Sequence, residues 1–279
     1  MLSLFSANAA FQAPAALGRA ANVRMESSTD MEDLAKKLNP VVGFWDPLGM
    51  VTPTIEGASS WAGQLGDEGA IGFLRHAEIK HGRVAMAAFV GYCVQANGIC
   101  FPWGLTGQIS FADIAAAGSP PAQWDALPTA SKWQIFLFIG LLEFWGEGAA
   151  KCETPHYTKG GKPGYFPPFD SLRETIGHPT LDLFDPFGLT KKLSPERKEK
   201  ALLAEINNGR LAMLGIMSLV SAASVEGSVP ALAGQLAHYD GEVMAPWAAS
   251  DSSVPYVTEM LNLVPKMDSP SKVFWFLSK

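Results

Sequence analysis

Two short segments of the chain hold the residues whose types and spacing suit chemistry. The first reads Glu78-Ile79-Lys80-His81-Gly82-Arg83-Val84-Ala85-Met86 and the second Glu205-Ile206-Asn207-Asn208-Gly209-Arg210-Leu211-Ala212-Met213. Each sets a carboxylate, then a second donor (His81 or Asn208), then a glycine and an arginine, at the edge of an apolar run. On a single helix Glu78 and Arg83 stand about 140° apart around the axis, so they face one another poorly. If the two segments cross with Gly82 and Gly209 at the contact, small residues allow close backbone approach, and Glu78 reaches Arg210 while Glu205 reaches Arg83. Reciprocal pairing of this kind matters because an ionised side chain near the middle of a bilayer costs about 2.5–3.5 kcal/mol.

Neutralised carboxylates still keep spare lone pairs, and in a dry setting a hard cation such as magnesium accepts them. The imidazole of His81 and the amide oxygen of Asn208 are equally able to serve as axial ligands, on faces neighbouring Glu78 and Glu205. A chlorophyll brings a magnesium that lacks one axial ligand. The same residues could simply lock two helices together, which accounts for Glu and Arg but leaves His81 and Asn208 without a task.

The elements that must position these groups are three segments of helical composition, at about residues 72–97, 131–151 and 195–225, separated by Pro- and Gly-rich loops. Their uncharged stretches, residues 84–101, 133–142 and 211–225, fall short of the roughly 20 apolar residues of a bare spanning helix. Charged residues must therefore complete each span. Upstream of each motif stands a second matched block, Phe44-Trp45-Asp46-Pro47-Leu48-Gly49 and Leu183-Phe184-Asp185-Pro186-Phe187-Gly188, so the chain contains an internal repeat. One candidate span lies between the copies. The first and third helices then run in the same direction and can be related by a two-fold axis along the membrane normal.

Composition narrows the function classes. Hydrophobic residues make up 48% and charged residues 17% of the 279-residue chain, a sparse charge fraction for a soluble protein. The net charge of -6, with Lys and Arg scattered, gives no basic stripe and excludes nucleic acid as a partner. Three cysteines without a Cys-x-x-Cys pair support neither a zinc site nor a disulfide scaffold. No phosphate loop or Ser, His, Asp arrangement is present, and the intramembrane charges leave no spare acid, base or nucleophile. An enzyme or transporter is thereby disfavoured.

The motifs Glu-x-x-His-Gly-Arg-x-Ala-Met and Glu-x-x-Asn-Gly-Arg-x-Ala-Met resemble the signatures of the light-harvesting chlorophyll-binding superfamily, over about residues 40–238. The resemblance implies an all-α membrane protein with three transmembrane helices, the first and third crossed about a pseudo-two-fold axis, plus a short amphipathic helix. It implies Glu78, His81, Glu205 and Asn208 as ligands of chlorophyll magnesium, and Glu78–Arg210 and Glu205–Arg83 as structural ion pairs. By similarity to the family's second helix, Gln134 and Glu143 hold further chlorophylls, while Glu147 is read as capping nearby loop groups. A His on a surface helix after the third span places His238 as a ligand, and the loop around His156 suggests another; His76 and His178 are weaker candidates.

The loop from Pro155 to Pro167 and the "NPVVGFWDPLG" segment resemble the red-lineage chlorophyll a/c branch, the fucoxanthin or peridinin chlorophyll a/c-binding proteins. That branch implies chlorophyll a, chlorophyll c and carotenoids (peridinin or fucoxanthin, diadinoxanthin-type) beside the crossed helices. The implied activity is light harvesting in the plastid thylakoid membrane, with excitation passed to a photosystem core, photosystem I by expectation. The implied partners are that core, neighbouring antenna proteins and thylakoid lipids. A photoprotective, energy-dissipating member of the same family is the alternative. One departure stands in Ser221-Ala222-Ala223-Ser224, where green-lineage relatives often carry a Gln.

The expected organisation is a plastid-targeting leader over residues 1–24, which holds Arg19 and Arg24 and no acid. An N-terminal segment with the Asp-Pro block follows over 25–71, then a three-helix chlorophyll-binding domain over 72–239. A C-terminal extension over 240–279 ends in the apolar cluster Val273-Phe274-Trp275-Phe276, which suggests contact with a neighbouring protein.

Overall fold

A computed structural model describes residues 27–47, 59–148, 155–167, 192–243 and 245–263. The leader, the second Asp-Pro block at Asp185-Pro186, His178 and the terminal apolar cluster lie outside the described residues.

Helix α1, Ser28–Leu38, starts from a reciprocal cap in which Ser27 accepts from the Asp30 N–H and Asp30 accepts from the Ser27 N–H at 2.9 Å. Its apolar side places Leu34 and Leu38 against Ile79, Ile206, Leu202 and Leu203. The long helices are α2, Ser59–Ala96, α5, Thr129–Gly148, and α6, Pro195–Ser224. Between α2 and α5 sit two short helices, α3, Phe111–Ala115, and α4, Pro120–Asp125, and the last helix is α7, Val257–Leu263. At 1.5 Å per residue, α2, α5 and α6 measure about 57, 30 and 45 Å, each at least the thickness of a hydrocarbon core of about 30 Å. Helix α6 begins where Ser194 accepts from the Arg197 N–H and Pro195 fills the first turn.

No helix among the described residues is long and apolar enough, on hydropathy, to cross a membrane. Polarity here is inverted relative to a water-soluble bundle. The motif charges lie toward the α2–α6 contact, while Val84, Leu137 and Leu214 are 65%, 68% and 70% exposed. Val90, Phe138, Leu141, Phe144 and Leu211 are exposed as well. An apolar surface this continuous is not stable against water and marks a face covered by something else.

The short amphipathic helix expected to carry His238 does not form. A single 3-10 turn, Pro230–Leu232, is followed by Gly234 at φ +71°, and the chain continues without helix through Tyr239. The glycine's left-handed backbone ends the turn before the apolar face of Leu232, Leu236 and Tyr239 can assemble on one helix. Past it, residues 245–251 fold back against the start of α5.

Candidate functional site

Helices α2 and α6 cross at Gly82 and Gly209. A Cβ built on Gly82 would stand 3.0 Å from the Gly209 Cα, and one on Gly209 would stand 2.9 Å from the Gly82 Cα. Only glycine on both sides permits this approach, and the approach sets the reach of the flanking charges. Arg83 Nε donates to Glu205 Oε1 at 2.6 Å, and Arg210 Nε donates to Glu78 Oε1 at 2.7 Å. The four charged groups of the repeat thus pair reciprocally across the crossing.

Further groups dress the two pairs. Arg75, buried one turn before Glu78, donates to Glu78 Oε2, so both oxygens of that carboxylate are engaged. Arg83 also donates through Nη1 to the Gly164 carbonyl at 2.6 Å, which ties the 155–167 loop to the crossing. Glu205 Oε2, by contrast, carries no hydrogen bond among the described residues. Arg75 was legible in the sequence as a cation three residues before Glu78, on the same helical face.

The neutral donors divide by their tautomers. His81 Nδ1 lies 2.8 Å from the Ala77 carbonyl; a carbonyl only accepts, so Nδ1 bears the proton and the Nε2 lone pair points outward from an exposed ring. Such an Nε2 fits magnesium. Asn208 is exposed and engages no hydrogen bond among the described residues. His76 behaves in the opposite sense: its Nδ1 accepts from the Gly164 N–H at 3.1 Å, so its Nε2 carries the proton and cannot ligate. Its ring stacks on Tyr157 at 3.9 Å.

On α5, Gln134 is exposed and Glu143 accepts from Lys80 of α2 at 2.5 Å. Glu147 accepts from Tyr157 at 3.2 Å and lies 2.8 Å from His156 Nε2. His156 Nδ1 lies 2.7 Å from the Thr158 hydroxyl. Both ring nitrogens of His156, expected as a ligand, are thus engaged within the loop and with Glu147. Tyr157 is pushed up to about 12, first by burial and then by the Glu147 carboxylate. His238 donates from Nδ1 to the Ala223 carbonyl at 2.9 Å, and its Nε2 lies 2.8 Å from the exposed Asp240. A magnesium at that nitrogen would have to displace Asp240.

Among the described residues no three His, Cys, Asp or Glu side chains converge to cage a metal ion. Each donor stands singly, which suits an ion that arrives with its remaining ligands already attached. Glu205 Oε2 and His81 Nε2 fit that role as they stand; Glu78 fits it once Arg75 yields an oxygen.

Comparison with known proteins bears on what that ion is. Residues 30–224 match the family described as "Chlorophyll A-B binding protein". The chain is 33% identical over 238 residues to the "Fucoxanthin-chlorophyll a-c binding protein, chloroplastic" of Trieres chinensis, covering 82% of this chain and 95% of that protein. It is 33% identical over 220 residues to the "Fucoxanthin-chlorophyll a-c binding protein F, chloroplastic" of Phaeodactylum tricornutum, covering 78% and 90% respectively. With its repeat motifs paired at the helix crossing and most of its length matched, the chain belongs to the chlorophyll A-B binding protein family.

Proposed function

We propose that the chain is a light-harvesting antenna protein of the plastid thylakoid membrane, which binds chlorophyll a, chlorophyll c and fucoxanthin and passes excitation to a photosystem. The observation that carries the reading is the crossing itself. Two ion pairs cancel four intramembrane charges, and beside them Glu205 Oε2 and His81 Nε2 take no hydrogen bond among the described residues.

Helices α2, α5 and α6 are the three spans. Because α5 lies between them in the chain, α2 and α6 run in the same direction and relate by a pseudo-two-fold axis through the Gly82–Gly209 contact. The charges that lower their hydropathy are matched inside the bundle, and the exposed Val84, Leu137 and Leu214 face lipid or pigment. Glu78, His81, Glu205 and Asn208 hold chlorophylls from the crossed pair, and Gln134 and Glu143 hold them from α5. Bound chlorophyll supplies light absorption and excitation transfer. The protein residues fix where each ring sits and keep water from its metal; no bond is made or broken, so the protein is no enzyme.

Refolding the recombinant chain in detergent with chlorophyll a, chlorophyll c and fucoxanthin tests this. The expected product is a coloured complex in which excitation of fucoxanthin and chlorophyll c yields chlorophyll a fluorescence. A stable, colourless product, or pigments that fluoresce independently, would overturn the reading. Co-purification with photosystem I and not photosystem II, from the protein's own membranes, tests the partner.

A further inference from the structure

Helix α5 poses a problem of support. Among the described residues α2 packs along α6, whereas α5 has no comparable backbone packing on either. Besides the Lys80–Glu143 ion pair from α2, what reaches α5 are contacts toward its two ends. At the Glu147 end these are His156, Tyr157 and, through Trp145 Nε1 at 3.4 Å, the Pro167 carbonyl. At the Thr129 end the contacts come from residues 245–251, which lie past the part of the chain that matches the family.

This second set is extensive. Lys132 donates to Asp251 Oδ2 at 2.5 Å, with side-chain exposures of 0% and 2%. Thr129 donates to Asp251 Oδ1 at 2.5 Å, and the Ala248 N–H donates to Asp251 Oδ2 at 3.0 Å. The Trp247 ring lies 4.9 Å from Trp133 and 5.4 Å from Phe136, and Trp124 donates to the Pro246 carbonyl at 3.0 Å. Thr129, Lys132, Trp133 and Phe136 follow the i, i+3, i+4, i+7 spacing of one helical face. The same face continues to Gly140 and Glu143. At Gly140 the face is open, since a Cβ built there would meet nothing within 4 Å, and at Glu143 the only side chain hydrogen-bonded to the carboxylate among the described residues is Lys80, which takes Oε2.

We propose that residues 245–251 form a clasp that fixes α5 relative to α2, through α4, whose Trp124 binds Pro246 and whose Gln123 donates to the Gln95 carbonyl of α2 at 3.1 Å, with Lys132 and Asp251 as positioning residues for the chlorophylls ligated from α5. The clasp and the 155–167 loop hold the two ends of one face, and the span between them leaves Gly140 and the second oxygen of Glu143, whose Oε2 takes Lys80, to a pigment. The proposal rests on the antenna reading. Neither Lys132 nor Asp251 touches pigment; they act by setting where Gln134 and Glu143 stand.

The full chain, refolded with chlorophyll a, chlorophyll c and fucoxanthin, provides the test. Asp251→Asn strands a buried ammonium and is expected to lose the chlorophyll at Glu143 while keeping those at Glu78 and Glu205. In that background Glu143→Ala removes no further pigment, although it does so in the wild-type chain. A double Lys132→Met, Asp251→Leu replacement leaves no stranded charge and restores the Glu143 chlorophyll together with its circular-dichroism band. If Asp251→Asn fails to refold, Thr129→Val, which deletes one hydrogen bond, is read the same way. Retention of the Glu143 chlorophyll in the single variants, or loss of all chlorophylls in equal proportion, would overturn the clasp. A wild-type chain that takes up no chlorophyll would overturn the antenna reading and the clasp's role with it.

Discussion

The two copies of the repeat share a brace and differ in how each glutamate is finished. At the α2 copy, Glu78 is held on one oxygen by Arg210 and on the other by Arg75. At the α6 copy, Arg83 holds Glu205 on a single oxygen and divides its guanidinium with the Gly164 carbonyl. Their surroundings differ too. The 155–167 loop covers the α2 copy through His76 and Arg83, while α1 covers the α6 copy through Leu38, whose carbonyl accepts from Asn207 at 3.4 Å. The repeat supplies the crossing, and its different neighbours make the two glutamates inequivalent.

The harshest way to break the comparison is to separate the halves. Gly209→Leu puts a side chain where the Gly82 Cα sits within 2.9 Å of a bare Cβ, so both ion pairs should open and refolding should yield no pigmented complex. A pigmented product of unchanged thermal stability would show that the crossing is not close-packed. Next in size is Arg210→Leu, which strands Glu78 against Arg75 alone. It should cost about 1.5–3 kcal/mol, the scale of one charge-assisted hydrogen bond lost from the crossing. In a double-mutant cycle over Glu78→Gln and Arg210→Leu, the combined change should cost less in a thermal melt than the sum of the two single changes, and strict additivity would contradict the crossed pairing.

A smaller effect separates the copies directly. Arg75→Leu frees Glu78 Oε2, and chlorophyll at Glu78 should exchange with added pigment on the order of tenfold more slowly, equivalent to about 1.4 kcal/mol. Chlorophyll at Glu205 should exchange at its wild-type rate; matched changes at both would erase the asymmetry. The smallest effect concerns acid. Burial alone would raise the Asp251 carboxyl, but hydrogen bonds from Lys132, Thr129 and the Ala248 N–H, with the Lys132 charge, hold it below its usual 3.8. A depressed folded-state pKa contributes stability that is present above the ordinary carboxylate range and is lost as pH falls through the lower folded value. Weak acidification should therefore leave the clasp closed, with Trp247 fluorescence unchanged until the pH drops below that range.

How much of this was legible depends on whether the information is local. The crossing was readable because both halves announce themselves in the same words: a glutamate, a glycine and an arginine whose angles on one helix forbid internal pairing. Helix α2 begins at Ser59, more than three turns before the expected start near residue 72, because Gly63, Gly66 and Gly69 weaken the helical pattern over that stretch. Lys132 and Asp251 meet across a long stretch of chain with no repeat to link them, so nothing in either neighbourhood foretold the pair. His156 and His238 were expected as ligands from the loop and from the family resemblance, and the structure sets a partner beside both ring nitrogens of each. No helix was expected at Ser28–Leu38, and the docking of α1 could not be anticipated, since the groove formed by Ile79 and Ile206 exists only after the helices cross.

The most direct test of the account is a density map of the pigment-loaded chain at the helix crossing. It should show a chlorophyll magnesium about 2.0–2.1 Å from Glu205 Oε2, with Arg83 still on Oε1, and a second on the Nε2 of His81. A map with protein, lipid or water against those two atoms, and chlorophyll held elsewhere, would contradict it.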